Sequence, residues 1–369
     1  MLNITRHIAS QGYDRIRCWA VPVALPLEKE VLLLCQKQQI SAIDCFSGLS
    51  LFRSFDNGET WSKPVEVSAL ADIPFPDGTH ESFLSSVMHK MDDGRILVLV
   101  TTFRYDPDGS RTAGAYQEVK YLYFEPETGN WSQLRKLELD APTESDVLAV
   151  TAQFTQLENG DLLLPYSVRQ KSGRFFARIA RLRLTPDGTL DVVELSDKIV
   201  LEEGRGFFEP SLCRFDGKYF LTVRNDQSGY ISCSETWKSF PSPHKLCRTD
   251  GEWLGNYNTM TRLIALGGKL YLVYTRKGLN NDHVFRHRAP LLVAEVDTEK
   301  LAIKLETEQI AAPEHGARLC NFTAVSNGKD FAYISVAEWM QTLEPNWHEC
   351  IKCEEHGADN RVWYIELKS

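Results

Sequence analysis

The sequence contains no apolar run long enough to cross a membrane, since none approaches the roughly 18 residues that a spanning helix needs. Its first residues, MLNITRH, lack the apolar core of a secretory signal peptide. Regular cysteine spacing is missing too. The nine cysteines are an odd number and form no framework, which fits a reducing compartment better than a disulfide scaffold. We therefore expect a cytoplasmic protein.

An excess of basic residues is also absent. Lysine and arginine number 41 against 50 aspartates and glutamates, which gives a formal net charge of −9. This balance argues against nucleic acid and anionic membranes as partners. It does not exclude an anionic small molecule, because a local group of arginines outweighs the global charge at short range. The apolar content of 43% is that of an ordinary globular protein.

Long helical periodicity is missing almost everywhere, whereas short alternating strands and turn dipeptides are frequent. One pattern, a polar turn followed by five or more β-prone residues, occurs six times at intervals of roughly 50 to 65 residues. The six strands are VLLLCQ, RILVLVTT, DLLLPYSV, KYFLTVRN, KLYLVYTR and KDFAYISVAEW. The repeat predicts an all-β fold, namely a six-bladed β-propeller of four-stranded antiparallel sheets, with residues 1–369 as a single domain.

Each blade of such a propeller should begin with an inner strand that precedes the turn. The inner strands are predicted at residues 18–23, 82–89, 147–156, 209–214, 259–266 and 321–325. The last strand, residues 361–365, is expected to pair with N-terminal residues and close the ring, because closure removes exposed sheet edges.

The stretch SFDNGETW, residues 54–61, predicts a tight hairpin turn. Asn57 and Gly58 supply the positive φ angles of such a turn, and Asp56 can bond to backbone amides within it. The pattern Ser-x-Asp-x-Gly-x-Thr-Trp resembles the Asp-box, or BNR repeat, of sialidases and related β-propellers. In that family the box lies on the rim of a blade, away from the active site. It therefore indicates a scaffold and leaves the chemistry to other residues.

Ligands of a propeller bind over the central channel, on loops that enter and leave the inner strands. Charged and polar residues beside the predicted inner strands are therefore candidates for the site, and Arg205 and Arg318 stand in such positions. We expect Glu81 and Asn321 to bind substrate and Glu338 to be catalytic. A carboxylate beside an apolar strand can also have a structural role, as the buried partner of an arginine.

A further region carries the resemblance to sialidases. The runs FEPS (208–211), DGK (216–218) and VRN (223–225) resemble the Glu-Pro, Asp-Gly and Ala-Arg-Asn series of that family. The resemblance implies that Glu209 corresponds to the glutamate that assists the nucleophile. It also implies that Arg224 is one of three arginines that grip the substrate carboxylate. Arginine suits this role, because its planar guanidinium bonds two oxygens and stays charged.

The same resemblance implies three more roles. The segment RAPLLV resembles the strand that carries another of the three arginines, which would be Arg288, with Arg286 as the alternative. Arg17 corresponds to the remaining arginine, although the Arg-Ile-Pro of the family is not present as such. Asp44 lies before the first box, roughly where the family places its acid/base aspartate.

One residue of the family pattern is missing. Sialidases carry a nucleophilic tyrosine just ahead of the sixth turn, and here residues 318–323 read RLCNFT. The usual mechanism needs that tyrosine, activated by the glutamate. Either another group takes its role or the reaction differs.

Two histidines stand in the most polar segment of the chain, residues 280–288. In an extended strand, His283 and His287 would face one way while Arg286 and Arg288 face the other. Such a pair can form half of a metal site or act as a general acid/base, and we treat both as catalytic candidates.

One other cluster has ligand types that zinc prefers. Its spacing is compressed, however, and no second knuckle follows, so that a loop between two strands explains it equally well. We therefore expect no metal and no cofactor. The residues of this cluster are His348, Cys350, Cys353 and His356.

Three functions fit these residues. The first is a sialidase-like exo-glycosidase that hydrolyses a terminal acidic sugar of an oligosaccharide or glycoside, with Asp44 as acid/base and Glu209 orienting or replacing the nucleophile. The second is a lyase that acts on a uronate by β-elimination, with His283 or His287 as the base. The third is a non-catalytic propeller that binds glycans. We expect the first.

Overall fold

Six antiparallel sheets form the structure. The computed structural model of the protein describes residues 1–139, 145–150 and 152–369, and every strand in these ranges belongs to one of six sheets. Each sheet consists of strands that follow one another in the sequence. The one exception is the N-terminal strand, which joins the sheet made by the C-terminal residues.

The strands are numbered in chain order. The N-terminal strand is β1 (Asn3–Ser10). The first sheet has β2 (Arg17–Pro26), β3 (Val31–Gln39), β4 (Phe46–Ser54) and β5 (Val65–Glu66). The second has β6 (Ile73–Pro74), β7 (His80–Lys90), β8 (Ile96–Tyr105), β9 (Val119–Glu125), β10 (Asn130–Trp131) and β11 (Arg135–Lys136). The third has β12 (Asp146–Leu148), β13 (Thr155–Gln156), β14 (Leu162–Arg169), β15 (Phe175–Leu184) and β16 (Leu190–Leu195).

The fourth sheet has β17 (Phe208–Phe215), β18 (Lys218–Arg224), β19 (Gly229–Ser234) and β20 (His244–Lys245). The fifth has β21 (Arg262–Leu266), β22 (Lys269–Tyr274), β23 (Leu291–Asp297), β24 (Ala302–Ile303) and β25 (Gln309–Ala312). The sixth has β26 (Arg318–Leu319), β27 (Thr323–Ser326), β28 (Phe331–Trp339) and β29 (Val362–Lys368), together with β1. Helical segments are α1 (Cys350–Glu354) and the 3₁₀ turns Ser68–Leu70, Phe285–His287 and Leu305–Thr307. Within the described ranges, no helix has the length and apolar character to span a membrane.

The sheets follow a four-strand plan with local departures. The first and fourth sheets have four strands, as predicted. The others have five or six, because one strand is interrupted and both halves pair with the same neighbour. Thus β12 and β13 both pair with β14, β26 and β27 with β28, β10 and β11 with β9, and β24 and β25 with β23. The second sheet gains β6 at its inner edge as well.

The inner strands lie side by side around a ring. Strand β2 contacts both β7 and β28, and β17 contacts both β14 and β21, which in turn contacts β27. The predicted all-β propeller is therefore confirmed. All six repeated turn-and-strand units form the second strand of a sheet, namely β3, β8, β14, β18, β22 and β28. The ring closes as predicted, because β1 pairs antiparallel with β29 from Asn3↔Lys368 to Ser10↔Val362.

The apolar core lies between neighbouring sheets. Between the first and second sheets, for example, Leu32 and Leu34 of β3 pack in one cluster with Phe83 and Val98. The second strands read as nearly continuous apolar runs because sheets cover them on both faces. Full burial of one such leucine stabilises the fold by about 1.5–3 kcal/mol.

The predicted turn at residues 54–61 is confirmed and joins β4 to β5. The Asp56 carboxylate accepts hydrogen bonds from Thr60 N at 2.9 Å and Thr60 Oγ1 at 2.6 Å. The indole of Trp61 donates to Gly58 O at 2.8 Å. Gly58 has φ +93°, and a Cβ there would lie 2.7 Å from Tyr364 Cδ1. The turn of the first sheet thus packs against β29, the strand that closes the ring.

We expect Gly58→Ala to destabilise the protein by about 1–3 kcal/mol more than Gly94→Ala. Both glycines have positive φ, 93° and 87°, so both substitutions strain the backbone similarly. Only Gly58 faces another side chain, since a Cβ at Gly94 meets nothing within 4 Å. Urea denaturation of the two variants measures the difference. Equal losses would show that the contact with Tyr364 contributes nothing.

Candidate functional site

A cavity of about 360 Å³ lies over the ring of inner strands, and residues from all six sheets or their loops line it. The lining is unusually rich in arginine. Seven arginines and three carboxylates contribute to it, in a protein whose net charge is −9. The arginines are Arg111, Arg169, Arg205, Arg224, Arg286, Arg288 and Arg318, and the carboxylates are Asp44, Asp146 and Glu209.

One buried ion pair lies at the fourth sheet. Arg224, at the end of β18, donates from Nε to Glu209 Oε2 at 2.6 Å and from Nη1 to Asn258 Oδ1 at 3.3 Å. Its guanidinium lies 4.2 Å from the ring centre of Phe208. Glu209 Oε1 accepts no hydrogen bond within the described part of the chain, which leaves this oxygen available to a ligand.

Glu209 is held in the ionised state. Burial alone would raise its pKa, but the positive charges of Arg224, Arg288 and Arg262 outweigh burial and lower the pKa below its ordinary value of 4.5. Glu209 is therefore a carboxylate throughout the neutral pH range.

Three other arginines of the cavity pair with carboxylates near its rim. Arg205 donates from Nε to Asp226 Oδ2 at 2.7 Å, and this bond lowers the pKa of Asp226. Arg111 lies 3.6 Å from Asp44 Oδ2. Arg169 lies 3.4 Å from Asp146 Oδ2. These arginines are about half exposed, so their pairs are weaker than the buried one.

Arg286, Arg288 and Arg318 differ from the other four, because none of them forms an ion pair with a carboxylate of the described residues. Arg288 donates from Nη2 to Asn258 O at 2.6 Å. Arg318 bonds Gln341, and its guanidinium stacks 3.5 Å from the ring centre of Trp339. Carbonyl, amide and aromatic groups thus hold these arginines without neutralising them.

Burial and mutual repulsion act on all three. Burial first, and then the charges of Arg224 and Arg286, lower the pKa of Arg288 to about 10. Burial and the charges of Arg288 and Arg286 lower the pKa of Arg318. Burial and Arg224 lower the pKa of Arg286. An anion placed among these guanidinium groups would relieve this repulsion, so the charges of the cavity favour a negatively charged ligand.

The backbone of the cavity is locally strained. Four lining residues other than glycine have φ in the left-handed region, with Asp44 at 56°, Glu209 at 52°, Asn258 at 47° and Arg286 at 57°. Glu209 occupies an irregularity of the β17–β18 ladder, between Phe208 and Ser211. Such conformations cost roughly 1–3 kcal/mol each and are concentrated at functional sites.

No family model matches the chain, and no curated protein matches its sequence. Solved structures do match its fold. The sialidase of Trypanosoma rangeli in complex with the inhibitor DANA has a TM-score of 0.60 and 12% identity, over 95% of this chain and 55% of that one. A Hadza microbial sialidase has a TM-score of 0.60 and 12% identity, over 95% of this chain and 66% of that one.

The fold is that of a sialidase-like β-propeller. It is similar as well to the α-L-arabinanase of Penicillium chrysogenum complexed with arabinobiose, with a TM-score of 0.53 and 12% identity over 99% of this chain and 98% of the arabinanase. This chain spans about half the length of the T. rangeli enzyme. At such identities the likeness extends to the fold alone.

The propeller brings six of the predicted site residues together. The six that line the cavity are Asp44, Glu209, Arg224, Arg286, Arg288 and Asn321. The other five predicted residues, Arg17, Glu81, His283, His287 and Glu338, are not part of its lining.

Arg17 and Glu81 have other surroundings. Arg17 begins β2, where it is exposed and lines a separate groove with Lys37 and Asp72. It therefore does not complete the arginine cluster. Glu81 forms an ion pair with Lys120 Nζ at 2.7 Å, which keeps its carboxylate beside β9.

Glu338 has the structural role that the sequence left open. It is buried, and it lies 2.7 Å from His315 Nδ1 and 3.1 Å from Arg361 Nη1. It also accepts hydrogen bonds from the backbone amides of Asp359 and Arg361. Its carboxylate therefore stabilises the segment that precedes β29.

The two histidines do not lie on an extended strand. Phe285–His287 is a 3₁₀ turn in which Arg286 and His287 have positive φ, so the alternation expected for a strand is lost. His287 bonds Tyr257 at 2.5 Å and Asp282 at 3.0 Å. The ring of His283 stacks on His356 at 4.6 Å and contacts Glu314 at 3.1 Å.

Within the His348–His356 region, Cys350–Glu354 forms the short helix α1. Cys350 and Cys353 are buried free thiols on α1. Within the described ranges, no three His, Cys, Asp or Glu side chains are grouped so that they could hold a metal ion.

Arg318 and Arg205 were candidates only through their positions beside predicted inner strands, and no sequence pattern assigned a role to either of them. Asn258 carried no signal at all, because its contribution depends on its backbone carbonyl and amide oxygen. The described lining of the cavity contains no tyrosine.

We expect Arg224→Met to destabilise the propeller by about 3–5 kcal/mol, because it leaves the buried Glu209 carboxylate without its bonded partner. The pKa of Glu209 is lowered in the folded state, so this loss is complete above the ordinary pKa of 4.5 and shrinks as acid protonates Glu209. Denaturant unfolding at neutral and acidic pH measures both effects.

Arg205→Met is the matched control. It removes a half-exposed partner of Asp226, so we expect a loss of about 1 kcal/mol or less. Equal losses for the two variants would contradict the distinction between the buried and the rim pair.

Proposed function

We propose that this protein is a sialidase-like exo-glycosidase that hydrolyses a terminal acidic sugar, and that each of its six sheets is one propeller blade. The observation that carries the proposal is the group of Arg286, Arg288 and Arg318, three guanidinium groups in one cavity without carboxylate partners in the described ranges. A substrate carboxylate would supply the missing charge with two oxygens in the geometry that arginine prefers.

The size of the cavity favours a single sugar unit. Its volume of about 360 Å³ lies near the lower end of the range for ligand pockets. A site of this size over the channel suits the end of a glycan better than an internal segment of the chain. The acidic sugar would therefore be the terminal unit, and the leaving group would extend outwards.

Asp44 is proposed as the general acid. It protonates the leaving oxygen while the bond from that oxygen to the anomeric carbon breaks. Its backbone is fixed, because Asp44 O accepts a hydrogen bond from Tyr105 Oη and its φ is 56°. The neighbouring Arg111 helps to position its carboxyl group at the rim.

Glu209 is proposed to take the place of the absent tyrosine in part. Since it stays ionised, it can stabilise the positive charge that develops on the sugar ring in the transition state. Its unbonded Oε1 can orient the water that attacks the anomeric carbon and accept a proton from it. Water is then the nucleophile, and no covalent intermediate on a tyrosine is required.

The lyase alternative loses its base in this arrangement. It depended on His283 or His287, and neither residue lines the cavity. The non-catalytic alternative remains an outcome of the experiment below, since an arginine-rich cavity binds an acidic sugar without turning it over.

The proposal is tested by incubating the protein with sialosides and with uronides. We expect release of free acidic sugar without a gain in the ultraviolet absorbance of an unsaturated product. An absorbance gain would overturn hydrolysis in favour of elimination. Binding of free acidic sugar without release from any glycoside would overturn the enzyme proposal in favour of a binding module.

We expect Asp44→Asn to lower kcat about 10²–10⁴-fold on a glycoside with a poor leaving group, because general acid catalysis contributes an effect of this size. On an aryl glycoside whose phenolate leaves readily, the loss should be much smaller. The exposed Asp72, which lines a different groove, gives the control variant Asp72→Asn. Equal losses by Asp44→Asn on both substrates would contradict the role of Asp44 as acid.

A further inference from the structure

Arg262 has no place in the lining of the cavity, yet it lies directly beneath the residues that bind there. It begins β21 and is among the largest fully buried side chains of the protein. Its charge acts on Glu209, which lines the cavity above it. A buried arginine in the channel of a propeller has to satisfy its donors with groups from several sheets.

The guanidinium of Arg262 joins three sheets. Its Nη2 donates to Val150 O at 2.9 Å, in the segment that follows β12. Its Nη1 donates to Pro210 O at 3.4 Å and to Glu209 O at 3.5 Å, both on β17. The third, fourth and fifth sheets therefore meet at one side chain.

Two of these carbonyls belong to the strained residue of the site and to the residue that follows it. Glu209 has φ 52° and occupies the irregularity of β17. On its other side, Glu209 N donates to Ser167 Oγ at 2.9 Å. The backbone of Glu209 is thus held from below by Arg262 and from the third sheet by Ser167, which fixes where its carboxylate projects.

Arg262 acts on the same residue through its charge. Together with Arg224 and Arg288 it counters the burial of the Glu209 carboxylate. Burial lowers the pKa of Arg262 itself to about 10, which leaves it protonated at neutral pH. The charged groups that act on Glu209 are therefore Arg224 on β18, Arg288 after the 3₁₀ turn, Arg262 below and, as a lesser contribution, Arg205 before β17.

We propose that Arg262 is a positioning residue for Glu209, which from outside the cavity holds the backbone of Glu209 and places a positive charge beneath it. This inference rests on the proposed function for its kinetic consequences, but its effect on Glu209 itself is independent of turnover. If Arg262 only filled space, an apolar side chain of similar length would replace it without changing Glu209.

Two substitutions separate charge from geometry. In Arg262→Met the charge is lost, so Glu209 should protonate at higher pH. The acidic limb of the pH profile, where kcat/KM falls as the pH decreases, should therefore move to higher pH. In Arg262→Lys the charge remains, but one ammonium cannot reach the carbonyls of both Val150 and Pro210. We expect its acidic limb to stay in place while kcat falls about tenfold.

The control is Arg276→Met. Arg276 is a largely buried arginine of the fifth sheet region that pairs with Glu308 and is absent from the described lining of the cavity. The substitution Arg276→Met should lower the melting temperature without moving the acidic limb of the pH profile. If Arg262→Met and Arg262→Lys behave like this control, with lower stability and an unchanged limb and kcat, the positioning role is overturned.

A second readout works without activity. The Glu209 carboxyl can be titrated by carbon-13 NMR, with Glu209→Gln to identify its signal, in the wild type and in each variant that folds. A higher pKa of Glu209 in Arg262→Met supports the proposal even if no glycoside is cleaved, in which case the proposed function alone fails. An unchanged titration there overturns the positioning role. If Arg262→Met does not fold, the kcat of Arg262→Lys decides between the outcomes. If no glycoside is cleaved, the chemical shift of Glu209 decides instead. A change of this shift in Arg262→Lys relative to Arg276→Met supports the positioning role, and an unchanged shift overturns it.

Discussion

Repulsion between guanidinium groups at the centre of the propeller is the constraint on which the site depends. A protein with a net charge of −9 places seven arginines around one cavity, and three of them have no carboxylate partner in the described ranges. Such a cluster is stable only because rigid sheets hold it, because carbonyl oxygens accept its hydrogen bonds and because aromatic rings stack against its guanidinium groups. The same repulsion makes an acidic ligand favourable, since an anion offsets it.

Glu209 has the opposite relation to these charges. Its carboxylate is stabilised by the cations that repel one another. Arg224 bonds its side chain, and Arg262 bonds its backbone carbonyl from below. The site therefore separates two tasks in a small volume. Arginines would hold the charge of the substrate, and a glutamate that is ionised in the resting state would face the reacting carbon.

The region that lacks the expected tyrosine contains an arginine with well-defined contacts. Arg318 lies there on β26, packed against Trp339 and Phe285 and bonded to Gln341. A buried arginine cannot attack a sugar, but it would add a third cation to the group that is proposed to hold the substrate.

The sequence by itself determined the propeller. The repeat of turns and strands and the turn at residues 54–61 are local patterns, and they are present in the structure because local hydrogen bonds and burial determine them. The resemblance of FEPS and VRN to the sialidase series also pointed to Glu209 and Arg224, which lie on one hairpin of consecutive strands. Tertiary structure decided the rest. Whether Arg17, Glu338 or His283 faces the channel depends on strand ends and turns that no periodicity records, and Arg318 joined the site only because the sixth sheet closes the ring beside the first. Spatial convergence of residues distant in sequence is a property of packing, and only the folded ring supplied it.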